Sequence, residues 1–193
     1  MKNGKVFLLG LLAVIAVVAM LGLLAQGCSQ TPDTPTQPNT PTQPSTPTNP
    51  GSDKTVIAPQ IAENSVPAKL WAQFQQEITQ KPEATAQEIA SVLVESLADQ
   101  FVGEATPLEK DAEFFAGFDN YRITGYREGA MYAPMIGSIA FVGYVFTLED
   151  GTEPAAFVKG LQDNCNPRWN VCVEAGQTAC GAIGNRVFFV MCP

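Results

Sequence analysis

The residues with the most chemistry to offer are four cysteines, Cys165, Cys172, Cys180 and Cys192, separated by 7, 8 and 12 positions. Zinc sites built on cysteine use close pairs such as Cys-x2-Cys, and redox sites use Cys-x-x-Cys. Neither pattern is present, so disulfides are the chemistry these four suggest, with free thiols as the alternative. Four cysteines allow three pairings. Cys165 with Cys192 is the expected one, because both fall at the ends of predicted elements. A second group is acidic: Glu104, Glu109, Asp111 and Glu113 lie within ten positions of one another. Paired carboxylates hydrolyse glycosides or, joined by other oxygens, hold Ca²⁺. No Asp-x-Asp-x-Asp-Gly loop accompanies them, and a solvated acidic segment is the plainer reading. A third group is aromatic. Phe118, Tyr121, Tyr126 and Tyr132 follow Phe114 and Phe115 among glycines, a composition suited to stacking on a sugar or a partner peptide, or to completing a core.

The chain has no histidine. This removes Ser-His-Asp and Cys-His catalysis and all His-ligated metal sites within the chain. Ser138 stands in Gly137-Ser138-Ile139, which is not a nucleophile elbow, and no Ser-x-x-Lys occurs. No catalytic residue, metal ligand or cofactor site is therefore expected. The net charge is −8, and it becomes more acidic if Lys2 and Lys5 are removed with a leader. Such a surface repels phosphate backbones, so nucleic acid is not an expected partner.

The N-terminus carries an address. Lys2 and Lys5 precede the apolar run Val6–Leu24, which is followed by Ala25-Gln26-Gly27-Cys28. A positive start, an apolar stretch and a small residue before a cleavage point form an export signal. With a cysteine directly after Gly27, this resembles a bacterial lipoprotein signal. That resemblance implies removal of residues 1–27 and lipidation of Cys28 with acyl chains such as palmitate. Ala25 and Gln26 depart from the family's preferred Leu and Ala or Ser. An uncleaved apolar anchor is the alternative, since about 20 apolar residues can span a bilayer. Both readings put the domain on the extracytoplasmic face of the cell membrane.

Residues 31–50 carry proline at every third position from Pro32 to Pro50, with the unit Thr-Pro-Thr-Gln-Pro at Thr34 and again at Thr40. Proline removes backbone donors and fixes φ, so this stretch reads as an extended spacer of roughly 60 Å. A proline-module ligand or an O-glycosylated stalk are the other readings. Residues 28–53 thus form lipidated cysteine plus linker, and residues 54–193 one globular domain.

Within that domain, Ser65-Val66-Pro67 opens a helix with Leu70, Trp71, Phe74 and Ile78 on one face. Thr85 and Glu88 form a capping-box pattern ahead of Ile89, Val92, Leu93 and Leu97. The period then shortens. Tyr121–Tyr126, Ile139–Leu148, Trp169–Glu174 and Arg186–Met191 read as strands, the second as a central one. A third helix starts at Pro154, and Gly184-Asn185 marks a hairpin. The expected fold is α+β: two N-terminal helices, then a mainly antiparallel sheet of about four strands with one crossover helix, right-handed if its flanking strands are parallel.

Met135-Ile136-Gly137-Ser138, Asn166-Pro167-Arg168-Trp169, Val171-Cys172-Val173-Glu174-Ala175 and Val190-Met191 together resemble an uncharacterised lipoprotein domain family of Firmicutes over about residues 114–192. That resemblance implies the same address and fold, and no activity. The functional expectation is a membrane-tethered binding or structural module whose partner is a cell-wall glycan or a membrane protein. A carboxylate-dependent hydrolase and a solute-binding accessory of a transporter are the alternatives.

Overall fold

A computed structural model describes residues 54–110, 112–170 and 172–193. Cys28, the apolar run, the linker and Asp111 lie outside the described residues. Among those described, no helix is long and apolar enough to cross a membrane.

Six strands form a single antiparallel sheet, flanked by three helices. In chain order the elements are β1 (Val56–Ile57), α1 (Val66–Gln80), α2 (Ala86–Glu95), β2 (Gly103–Pro107), β3 (Tyr126–Pro134), β4 (Val142–Leu148), α3 (Pro154–Asn164), β5 (Gln177–Ile183) and β6 (Arg186–Cys192). The spatial order is β1-β5-β6-β4-β3-β2.

This corrects the expected α+β arrangement in several ways. The sheet has six strands where about four were expected, and a strand precedes the helices. Every pairing is antiparallel, so no parallel crossover exists. Tyr121–Tyr126 is a loop that reaches the sheet only at Tyr126, and Trp169 lies in an irregular segment. The physical reason is that the missed strands carry no apolar alternation. β2 reads GEATP and pairs with β3 at the sheet edge, with only Ala105 packed against the core. β5 reads QTACGAI, small residues that let other chain segments come close. A Cβ at Gly181 would sit 2.7 Å from the Ile57 carbonyl oxygen and 2.9 Å from the Trp71 ring. Glycine in a strand often marks such a close approach.

The sheet separates two apolar layers. On one face, α1 and α2 press Leu70, Trp71, Phe74, Ile89 and Leu93 onto Val145, Phe188 and Val190. On the other, α3 and the 108–125 loop bring Phe157, Leu161, Phe115 and Phe118 onto Tyr144, Phe146 and Phe189. β4 and β6 are buried along their whole length because both faces are covered. At the ~25 cal/mol per Å² typical of apolar burial, these layers supply the main drive for folding.

Local signals set the helix starts. The Ser65 hydroxyl accepts from Ala68 N–H at 3.3 Å, and Pro67 occupies the first turn, where its missing donor costs nothing. At α2, Thr85 and Glu88 satisfy each other's backbone N–H groups. The Glu88 carboxylate accepts the Thr85 backbone N–H at 2.8 Å and the Thr85 hydroxyl at 2.9 Å. These hydrogen bonds, the backbone one foremost, hold its pKa below the ordinary 4.5. A depressed folded pKa means the contribution is complete above the unfolded value and lost as pH falls through the folded one. Glu88→Gln should therefore flatten the acid side of the stability curve below about pH 4.5, as read from urea midpoints across that range.

Candidate docking surface

Three groups of residues are brought together strongly enough to judge as sites. The first is a groove of about 470 Å³ between α1 and α2, lined by Glu77, Lys81, Glu83, Glu88 and Ser91 among others. Two of its three carboxylates are already committed. Buried Glu77 pairs with Lys81 at 3.2 Å and accepts from Gln73 at 3.2 Å, and Glu88 serves the capping box.

The second is a buried polar network that sequence reasoning missed. Arg186, only 9% exposed, donates to the Ala84 carbonyl at 2.7 Å, to Thr147 Oγ1 at 2.9 Å and to the Pro82 carbonyl at 3.2 Å. Thr147 in turn donates to Glu128 Oε2 at 3.4 Å, and Glu128 Oε1 accepts the Ala86 N–H at 2.7 Å. Burial pulls the Arg186 pKa down while nearby Glu128 opposes that shift. Each polar group in the network is spent on the α1–α2 connection, so its role is architectural. Only its place at the start of an apolar strand could have hinted that this arginine points inward.

The third is apolar and open. Val102, Met135 and Ile136 are 73%, 65% and 72% exposed. Val102 precedes β2 and Met135 follows β3. The Met135 N–H donates to the Val102 carbonyl at 3.0 Å, which extends the β2–β3 ladder past its last regular pair and holds the two side chains side by side. Neighbouring Phe101 and Ile139 line a cavity of about 190 Å³ with Val66, Phe141, Cys192 and Pro193. Exposed apolar clusters of this kind mark interaction sites, because leaving them in water carries a standing cost. Asn170 braces the segment from beneath, donating to the Gly137 carbonyl at 2.6 Å.

The tip lies at the pole of the sheet formed by the start of β5 and the end of β6. The chain enters the domain at the other pole, where Lys54 packs by Gly184 in the β5–β6 turn.

No known family, curated protein or solved structure matches this chain.

The geometry alone must therefore place the expected site residues. Phe118, Tyr126 and Tyr132 are buried and Tyr121 is half-buried, so these aromatics complete the core instead of facing a partner. The Tyr132 hydroxyl donates to the Phe189 carbonyl at 3.3 Å, and that of Tyr126 to the Glu109 carbonyl at 3.3 Å. Burial raises the Tyr132 pKa well above its ordinary range. Phe114 is the exception, 73% exposed. Glu104, Glu109 and Glu113 are exposed, and none lines either cavity described above. Among the described residues no cluster of three or more cysteine or carboxylate groups could hold a metal ion.

The four cysteines are free thiols in this structure. Cys192 faces the α1–α2 layer, while Cys165 and Cys180 belong to the α3 layer. The sheet stands between them, so the expected Cys165–Cys192 pairing is corrected. The cause is strand parity: a residue's position in β5 or β6 decides its face, which proximity to an element end does not reveal. Burial pushes the Cys192 thiol up to about 11 and Cys180 higher still, the reverse of what a nucleophilic cysteine needs.

Proposed function

We propose that this chain is an extracytoplasmic lipoprotein, acylated at Cys28, whose domain is a binding module that docks a protein partner through the Val102–Met135–Ile136 tip. The single observation that carries the docking reading is the exposure of these three side chains on a braced β2–β3 extension. The address is supported by the Lys2–Cys28 signal pattern and the proline-spaced linker.

Asp99 and Glu104 flank Val102 in sequence, and both are exposed. An apolar centre with an acidic rim suits a partner whose apolar contact is bordered by Lys or Arg. It disfavours a second copy or an anionic lipid surface, whose charges would repel.

The test is site-specific photocrosslinking in intact cells, with the crosslinker at Ile136 and, as control, at exposed Thr79 on α1. A discrete adduct at Ile136 alone is expected. Val102→Ser with Met135→Ser should weaken it by about tenfold or more, as loss of central apolar contacts does in other interfaces. Equal adducts at both sites would overturn the docking reading. Intact mass reads the anchor separately: residues 28–193 plus acyl chains supports it, and retention of residues 1–27 refutes cleavage.

A further inference from the structure

We infer that Cys165 and Cys180 are a disulfide-forming pair, a covalent staple between the end of α3 and β5, with Cys172 and Cys192 remaining as thiols. Cys180 is buried in the apolar layer under α3, and Cys165 packs against that same layer. α3 lies along β5: Val158 and Gln162 line a cavity of about 370 Å³ together with Thr178 and Cys180. Cys165 follows Gln162 by three and Val158 by seven, so it continues the helix face that looks onto this cavity. The Cys165 Sγ hydrogen-bonds to the Gln162 carbonyl at 3.4 Å, a weak contact that a rotation into the cavity would give up at little cost. Burial raises the Cys180 thiol, and charge on Cys165 would raise it further.

The other cysteines lie outside the apolar layer that Cys165 and Cys180 share. Cys192 lies across the sheet from both, and Cys172 is exposed in the loop. The staple would span the connection between Asn164, the end of α3, and Gln177, the start of β5. A bond across it would close that connection into a short loop.

Bond formation removes two protons and two electrons from the thiols as the S–S bond forms. A disulfide oxidant, small-molecule or protein, takes the electrons, and its own S–S bond is broken to two thiols. Formation during folding suits the pair, because the buried Cys180 thiol is a poor nucleophile once packed.

Peptide mapping decides the matter, because cleavage after Lys159, Arg168 and Arg186 separates Cys165, the Cys172/Cys180 pair and Cys192 into three peptides. Full-length protein in detergent is unfolded and refolded with oxidised glutathione, alkylated without reduction, and digested. The expected product joins residues 160–168 to residues 169–186, persists in Cys172→Ser and disappears in Cys180→Ala. Persistence in Cys180→Ala with loss in Cys172→Ser would overturn the assignment. So would a link to residues 187–193, or alkylation of all four domain thiols, Cys165, Cys172, Cys180 and Cys192, in the refolded wild type. None of these outcomes depends on whether the tip binds a partner.

Discussion

Arg186→Met is expected to destabilise the domain by about 3 kcal/mol, because it removes the charged donor from a buried network and leaves three acceptors behind. The guanidinium serves Ala84, Pro82 and Thr147 at once. Methionine keeps much of the volume and none of the hydrogen bonds. The orphaned Pro82 and Ala84 carbonyls belong to the connection between α1 and α2, so the loss also loosens the packing of those helices on the sheet. Glu128 would remain near Thr147 and the Ala86 N–H without the positive charge that offsets its own. Urea unfolding followed by circular dichroism measures the shift. The double variant Arg186→Met, Glu128→Gln should cost less than the sum of the two singles, since each removes part of the same interaction. A midpoint unchanged in Arg186→Met would show that the network contributes nothing to stability.

Gly143→Ala is expected to cost about 3 kcal/mol or prevent folding, although it adds a single methyl group. Gly143 faces Tyr132 directly across the β3–β4 ladder. Any Cβ at 143 would be driven into the Tyr132 ring, closer than real contacts allow. The ring has no room to yield. It is fully buried, its hydroxyl is tied to the Phe189 carbonyl, and Phe141 packs on it at 5.8 Å between centroids. Tyr132→Leu should relieve the clash, so Gly143→Ala should cost measurably less in that background. Equal cost in both backgrounds would mean that the tyrosine ring is not what confines position 143. The pair also shows why Tyr132 is a core residue: a tyrosine offered to a partner would not be laid over a glycine and hydrogen-bonded beneath a central strand.

The three helices, the capping of α2, the β5–β6 hairpin at Gly184 and the central burial of β4 were legible in the residues, because each rests on local signals or on an unbroken apolar run. β1, β2, β5 and all of β3 beyond Tyr126 were not. Two residues have no period, GEATP packs only Ala105 against the core, and small residues in QTACGAI are chosen for what approaches them. The proposed docking tip was hidden for a related reason. Val102 and Met135 are 33 positions apart, and only the β2–β3 register makes them neighbours. The aromatic-rich segment drew attention by composition, yet apolar composition is the same for a core and for an interface.

The sequence by itself determined what has no partner in space: the absence of histidine, the net acidic charge, the Lys2–Cys28 pattern that resembles a lipoprotein signal and the proline period of residues 31–50. Tertiary structure decided everything that depends on which face a side chain takes. It sent Cys192 to one side of the sheet and Cys165 and Cys180 to the other, turned Arg186 inward, buried the tyrosines and left Val102, Met135 and Ile136 in water. The physical reason is that strand pairing fixes face and neighbour together, and pairing is set by residues far apart along the chain.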